Sequence, residues 1–163
     1  MTSDSTGHSR EEERMPSGGV RGFAPGVVRR ARSERGLSLR ELAALLDLSV
    51  QAVTAWEQGR STPAPRHFLA LAKALHVTVD DLIRIPITEA DLVSLRDRAG
   101  MTGTEVAAEL DIHKSAFSEI EHGYRRLPAR LVQPLARIYQ RPESMITAAW
   151  ERGRADLTRR ARN

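Results

Sequence analysis

The sequence contains no cysteine. That excludes a disulfide framework, a thiolate zinc site and a thiol nucleophile, and it fits a reducing cytoplasm. Lysine is nearly missing as well. Lys73 and Lys114 are the only two, so almost all of the 25 Lys+Arg positions are arginine. No uninterrupted apolar run approaches the length of a membrane span. Met1 to Arg14 is polar and charged and lacks the apolar core of a signal peptide. The five histidines (His8, His67, His76, His113 and His122) are scattered, and none has carboxylate neighbours at a metal-site spacing. There is no glycine-rich phosphate loop and no nucleophile motif. An enzyme therefore has no residue constellation to support it, and neither a metal nor a cofactor is expected.

What is present is a chain of 163 residues, long enough for one ordinary domain or two small ones. Hydrophobic residues are 40% and charged residues 28%, the balance of a soluble globular protein. The formal net charge is +4 and the isoelectric point is near 10.3. Arginine grips phosphate with a planar, bidentate fork, which suits a nucleic-acid partner. A GC-rich genome also produces arginine in place of lysine, so the excess alone decides nothing.

Residues 1–25 are rich in Ser, Gly, Thr and charge, with the run Glu11-Glu12-Glu13-Arg14. Apart from Met15, Val20 and Phe23 they have nothing to bury, which predicts a disordered N-terminal arm. Gly26 to Arg35 reads as a first helix stopped by Gly36. Ser38-Leu39-Arg40-Glu41 is a capping box that opens a second helix through Leu46. Only Asp47 and Leu48 separate that helix from Ser49, which caps a third. Gly59 stops it. Within the third helix Val53 and Trp56 fall on one face, and Val50, Gln51, Thr54 and Ala55 are left mostly on the other. Two short helices joined by so tight a turn are a helix-turn-helix signal. A fourth helix runs from Pro65 to Leu75, and Thr78 caps a short fifth over residues 79–83.

The pattern then starts again. A helix over Thr88 to Ala99 is stopped by Gly100, and Thr102-Gly103-Thr104-Glu105 is a second capping box. An offset of 64 pairs Glu41 with Glu105, Arg32 with Arg96, Gly36 with Gly100, and Asp47 with Asp111. It also pairs Glu57 with Glu121 and Gly59 with Gly123. One register held through two such patterns is a tandem duplication. Pro134 falls where the first copy has Ala70, inside the expected fourth helix, where it removes a backbone bond. A last helix is expected from Pro142 to about Arg152. The organisation expected is an arm over 1–25, a first domain over 26–84, a linker over 85–87, a second and diverged domain over 88–152, and a basic tail, or a frayed helix, over 153–163.

Arg32, Ser38-x-x-Glu41-Leu42-Ala43, Ser49, Val53, Trp56-Glu57-x-Gly59 and Leu71-Ala72-Lys73-Ala74-Leu75 together resemble the lambda-repressor-like, Cro/XRE-type helix-turn-helix domain. The likeness covers about Val27 to Ile83. A weaker second copy covers about Leu92 to Ile146. It implies an all-α chain of two five-helix lambda-repressor-like domains in tandem. It also implies that the helix opening at Ser49 lies in the major groove. Ser49 would then meet phosphate through the helix N-terminus, and Val50, Gln51 and Ala55 would occupy base-reading positions. Gln51 can pair bidentately with adenine, and Val50 or Ala55 can touch a thymine methyl. Thr54 and Arg60 are placed for phosphate. Many members carry Gln at the start of the second helix to hold a phosphate. Here that position is Leu39, with Arg40 beside it as a substitute. The resemblance makes Arg32–Glu57 and Arg96–Glu121 structural ion pairs.

The second copy differs on its outward face, which reads His113, Lys114, Ser115, Ser118 and Glu119. Lys114 can contact guanine or phosphate, while Glu119 sets a negative charge toward the groove. From Val27 to Arg84 there are nine basic and six acidic residues, and from Ile85 to Trp150 eight and nine. Phosphate neutralisation dominates DNA affinity, so the first copy should be the stronger reader. Arg125, in the cluster Tyr124-Arg125-Arg126, keeps a second DNA contact open beside a dimerisation or effector role. The function these features imply is a sequence-specific DNA-binding regulator, a bacterial repressor in the cytoplasm at the nucleoid. Its partner would be double-stranded DNA, and it would act as a homodimer or as an intramolecular pseudo-dimer. The competing reading is a protein-interaction module, antitoxin-like or an adaptor, with its partner on the second domain and only weak, non-specific DNA binding.

Overall fold

The structure is a computed structural model and describes residues 19–162. Among these there are nine α-helices and two short 3-10 turns, and no strand. The first repeat holds α1 (Pro25–Glu34), α2 (Leu39–Leu45), α3 (Val50–Glu57), α4 (Pro65–Leu75) and a 3-10 turn at Asp80–Leu82. A second 3-10 turn at Ile87–Glu89 leads into α5 (Leu92–Arg98), α6 (Gly103–Glu109), α7 (Lys114–Glu121), α8 (Ala129–Tyr139) and α9 (Glu143–Arg160). The offset of 64 maps α2, α3 and α4 onto α6, α7 and α8 residue for residue.

The caps explain why. Ser38 and Thr102 each accept from the backbone N–H of Glu41 and Glu105, and each glutamate returns the bond to the cap backbone. Four pairs of left-handed residues also stand 64 apart, at Gly36/Gly100, Asp47/Asp111, Gly59/Gly123 and His76/Gln140. A left-handed residue at a helix end lets the chain turn and satisfies orphan carbonyls.

Two hydrophobic clusters fill the molecule. One is built on Val28, Leu42, Val53, Phe68, Leu71 and Leu82. The other is built on Leu92, Val106, Phe117, Leu135, Ile146 and Ala149. In both, the short helices lack the turns to be stable alone and are held by the apolar stripe they bury.

Three expectations need correction. Residues 1–18 of the expected arm lie outside the described residues, but residues 19–25 are built into the first repeat. Val20 and Phe23 are buried. The Val20 N–H donates to the Pro63 carbonyl at 3.1 Å, and Arg84 donates to the Gly22 carbonyl at 2.7 Å. Phe23 forms an isolated antiparallel bridge with Ile83 and meets Phe68 edge-on. Burying a Val and a Phe stabilises by about 1.5–3 kcal/mol each, and the backbone bonds to Pro63 and Arg84 add to this in ordering the stretch.

The helix expected over Thr88 to Ala99 begins later. Ala90 is extended, and Asp91 caps α5 by accepting from the Ser94 N–H at 2.8 Å.

The expected tail from Gly153 is helical to Arg160. It is held by packing. Gly123 lies against the backbone of Arg154, and Arg152 donates to the Ala90 carbonyl at 2.8 Å. Pro134 is accommodated within α8, which runs through it from Ala129 to Tyr139.

Candidate nucleic-acid interface

The first candidate face is the outer side of α3. Ser49 accepts from the Ala52 N–H at 3.2 Å, which fixes where the helix begins. Val53 and Trp56 are buried on the first cluster, so rotation about the helix axis is fixed as well. Ser49 and Gln51 are exposed, and Val50, Thr54 and Ala55 are half-buried. The Gln51 amide makes no hydrogen bond within the described residues and is free to recognise a ligand. Thr54 differs from expectation: its hydroxyl donates back to the Val50 carbonyl at 2.7 Å. It must rotate away before it can donate to a phosphate.

Cations surround this face. Arg40 and Arg60 are exposed, and Arg60 holds Gln58 through an Nε–Oε1 bond of 2.8 Å. Arg29 is a further one that sequence reasoning passed over. It lines a cleft with Leu39, Thr54 and Gln58, beside the outer side of α3. The signal was weak, since Arg29 is one of two adjacent arginines in a helix whose inward face draws attention first.

The offset shows how the second repeat diverged. Arg29, Arg40 and Arg60 correspond to Val93, Thr104 and Tyr124, and Val93 is buried. All three rim cations are gone. On α7, His113 acts as the cap, with Nδ1 accepting from the Ser115 N–H at 3.3 Å and lying 2.7 Å from Ser115 Oγ. Ser115 is thereby occupied by its neighbour. Lys114, Ser118 and Glu119 are exposed. Lys114 has no ion-pair partner among the described residues, whereas Arg125 lies 3.6 Å from Glu119, with both side chains more than half exposed.

Behind α3 and behind α7 sits an ion pair at the expected residues. Arg32 grips Glu57 at two points, 2.6 and 2.8 Å, and donates to the Leu37 carbonyl. The bond to Glu57 raises the arginine pKa further. Arg96 meets Glu121 at 2.6 Å and donates to the Met101 carbonyl, the matching position. The second pair is the more enclosed. Burial pushes the Glu121 carboxyl up, and Arg96 only partly offsets it. Asp97, 3.2 Å from Arg96, is also pushed up by burial. Burial works against the charge of Arg96 too, but Glu121 and Asp97 outweigh it and leave that pKa raised. These pairs anchor α3 and α7 to the first helix of each repeat, and their side chains are mostly buried.

Among the described residues no group of His, Cys, Asp or Glu could hold a metal ion, and no helix is long and apolar enough to cross a membrane.

Comparison with known families agrees with the duplicated architecture. A family described as "Helix-turn-helix" matches residues 28–82, and one described as "Helix-turn-helix domain" matches residues 90–149. No curated protein and no solved structure matches the chain significantly. Such domains support a DNA-binding regulator in general. The chain carries two helix-turn-helix domains in tandem, one in each repeat.

Proposed function

We propose that this protein is a sequence-specific transcriptional regulator, and a repressor, that reads the major groove with α3. The observation that supports this most is the state of the α3 face. Gln51 stands exposed with an uncommitted amide between half-buried Val50 and Ala55, and exposed Arg29, Arg40 and Arg60 surround it. The small side chains allow close approach. The amide supplies the donor and acceptor that adenine requires, and the arginines supply phosphate contacts that set register. A chain of two reading modules acts most simply by occupying its site and excluding another protein. The arginine-rich composition fits a bacterial source, with the nucleoid as the place of action.

The second repeat is the weaker reader in this scheme. On α7 Lys114 has no ion-pair partner among the described residues, with Ser118 beside it, while Glu119 repels phosphate and faces Arg125. It adds a phosphate contact and little base recognition. Because the repeats are joined by buried polar contacts, one chain can place both helices as a pseudo-dimer.

The test is selection of bound sites from a random DNA pool by the full chain. The expected result is one short enriched site, flanked on one side by a less constrained stretch for the second repeat. An inverted pair of identical sites would instead show that two chains read with α3 alone. No enriched site would overturn the reading in favour of an adaptor.

A further inference from the structure

The groove between the α3–α4 loop and the end of the first repeat is sealed by the chain itself. Gly19 sits against Thr62, Val20 donates its N–H to the Pro63 carbonyl at 3.1 Å, and Phe23 meets Phe68 and Ile83. Val20 is 1% exposed. Pro65 and Phe68 beneath it are buried.

The offset of 64 carries this groove into the second repeat, where it is open. Its floor is Leu127, Ala129 and Val132, and Trp150 of α9 forms the facing wall. Ala129, the counterpart of buried Pro65, is exposed. Val132, the counterpart of fully buried Phe68, is half-buried. The Leu127 carbonyl, counterpart of the Pro63 carbonyl that takes the Val20 N–H, accepts no hydrogen bond from the described residues.

Topology explains the difference. By the same offset, the covering segment should come from residues 83–87. That stretch already serves the first repeat, where Ile83 bridges to Phe23 and Arg84 bonds to Gly22. Of it, Ile87 reaches the second cluster.

We infer that the open groove of the second repeat receives an extended, acidic segment of a partner protein. That segment carries a β-branched residue and an aromatic residue three positions later, as Val20 and Phe23 stand in the first repeat. Its backbone N–H completes the Leu127 carbonyl, as in other recognition of extended peptides. Charge selects the flanks: Arg126 lines the groove, Arg130 follows it, and Arg154 stands over the Trp150 ring at 5.4 Å, against Glu151 on the wall. The chain's own residues 1–18 do not fit, since their only large apolar residues are Met1 and Met15. Nor does the covering segment of a second copy, which is held in its own first repeat.

The test uses the full chain and a fluorescein-labelled synthetic peptide, Val-Asp-Gly-Phe flanked by glutamates, followed by anisotropy without DNA. It is therefore independent of the DNA-reading proposal. Saturable binding is expected, with a shift of the Trp150 indole N–H signal in the NMR spectrum. Ala129→Glu and Arg126→Glu should each weaken binding by roughly tenfold. Ala129 and Arg126 are exposed, so both variants should keep the wild-type circular dichroism and melting curve. Arg126→Lys should restore binding. The inference is overturned by no saturable binding, by equal binding to folded Ala129→Glu, or by equal binding of a lysine-flanked peptide. Self-association of the chain that Ala129→Glu abolishes would also overturn it, because the occupant would then be a second copy.

Discussion

Arg98 of the second repeat is 2% exposed and donates through Nε to Asp80 of the first at 2.7 Å. Its other nitrogens are taken by Ser94 and by the Ile85 carbonyl. Arg141 approaches the same Asp80 at 3.5 Å. On another side, Arg21 meets Asp91 at 2.6 Å and gives its backbone N–H to Asp97 at 3.1 Å. Residues before and within the first repeat thus hold buried polar groups of the second, and this sets how α3 and α7 stand relative to each other.

Removing Arg98 should uncouple the repeats. Arg98→Ala leaves the Ile85 carbonyl and Ser94 without their donor, and it opens space where the guanidinium lay. Leaving such buried acceptors unpaired costs about 1–3 kcal/mol each. We expect wild-type protein to unfold in one transition and Arg98→Ala in two, with the second repeat melting first. A single transition shifted only slightly would mean that the repeats are coupled elsewhere.

Gln51→Ala should reduce the preference for the selected site over random DNA by about 1–3 kcal/mol. Non-specific affinity should stay near wild type, because no phosphate contact is removed. Competition binding with specific and random duplexes measures both. Equal loss on every sequence would contradict base reading by Gln51.

The salt dependence of binding separates the cations. Each phosphate contact contributes a slope of about 0.9 in log K against log salt. Arg40→Ala and Arg60→Ala should each reduce the slope by about one contact. Lys114→Ala should do so as well, whereas Arg125→Ala should do less, because Glu119 already faces that guanidinium. No change with Lys114→Ala would assign the second repeat to assembly and not to DNA.

Much of this architecture was legible in the sequence because it is local. A cap, a three-residue spacing or a left-handed stop is written within one helical turn, and the capping boxes at Ser38 and Thr102 lie where expected. The helix-turn-helix register followed from the caps and the tight turn, and the two ion pairs from the family resemblance. What stayed hidden depends on contacts distant in the chain. Val20 and Phe23 have no periodicity, and only pairing with Ile83 and Arg84 orders them. Gly153 looks like a helix stop, yet α9 runs through it, packed beside Glu121 and Asp91. Nothing in the local sequence singles out Arg98, whose burial rests on Asp80, eighteen residues away.

Acid should favour the second repeat over a narrow range. Burial raises the Asp97 carboxyl above its ordinary value of 3.8, and the Arg21 N–H and Arg96 only partly offset this. A raised carboxyl pKa means that the folded state binds the proton more tightly than the unfolded chain. The stability contribution of Asp97 therefore grows as pH falls through the folded pKa toward 3.8, and it is lost as pH rises. Asp97→Asn removes this titration. Denaturation between about pH 7 and about pH 4 should show wild type gaining on the variant as pH falls. Parallel curves would show that Asp97 has the same affinity for protons in both states.

Gly36 and Gly123 both have a left-handed backbone, with φ of 67° and 79°, but their surroundings differ. A Cβ at Gly36 meets open space, whereas one at Gly123 would come within 2.7 Å of the Arg154 Cα. Gly36→Ala should therefore cost only the backbone strain, about 1–2 kcal/mol. Gly123→Ala bears the same strain and must also push the backbone of α9 away. Since α9 also packs on α5 and α8, its displacement should loosen the second repeat alone. We expect Gly123→Ala to lose amide-exchange protection over residues 143–160 while the first repeat keeps its own. Gly36→Ala should lower stability without that selective loss. Equal destabilisation by the two variants, with α9 still protected, would show that the C-terminal helix is held by its apolar contacts and not by this close approach.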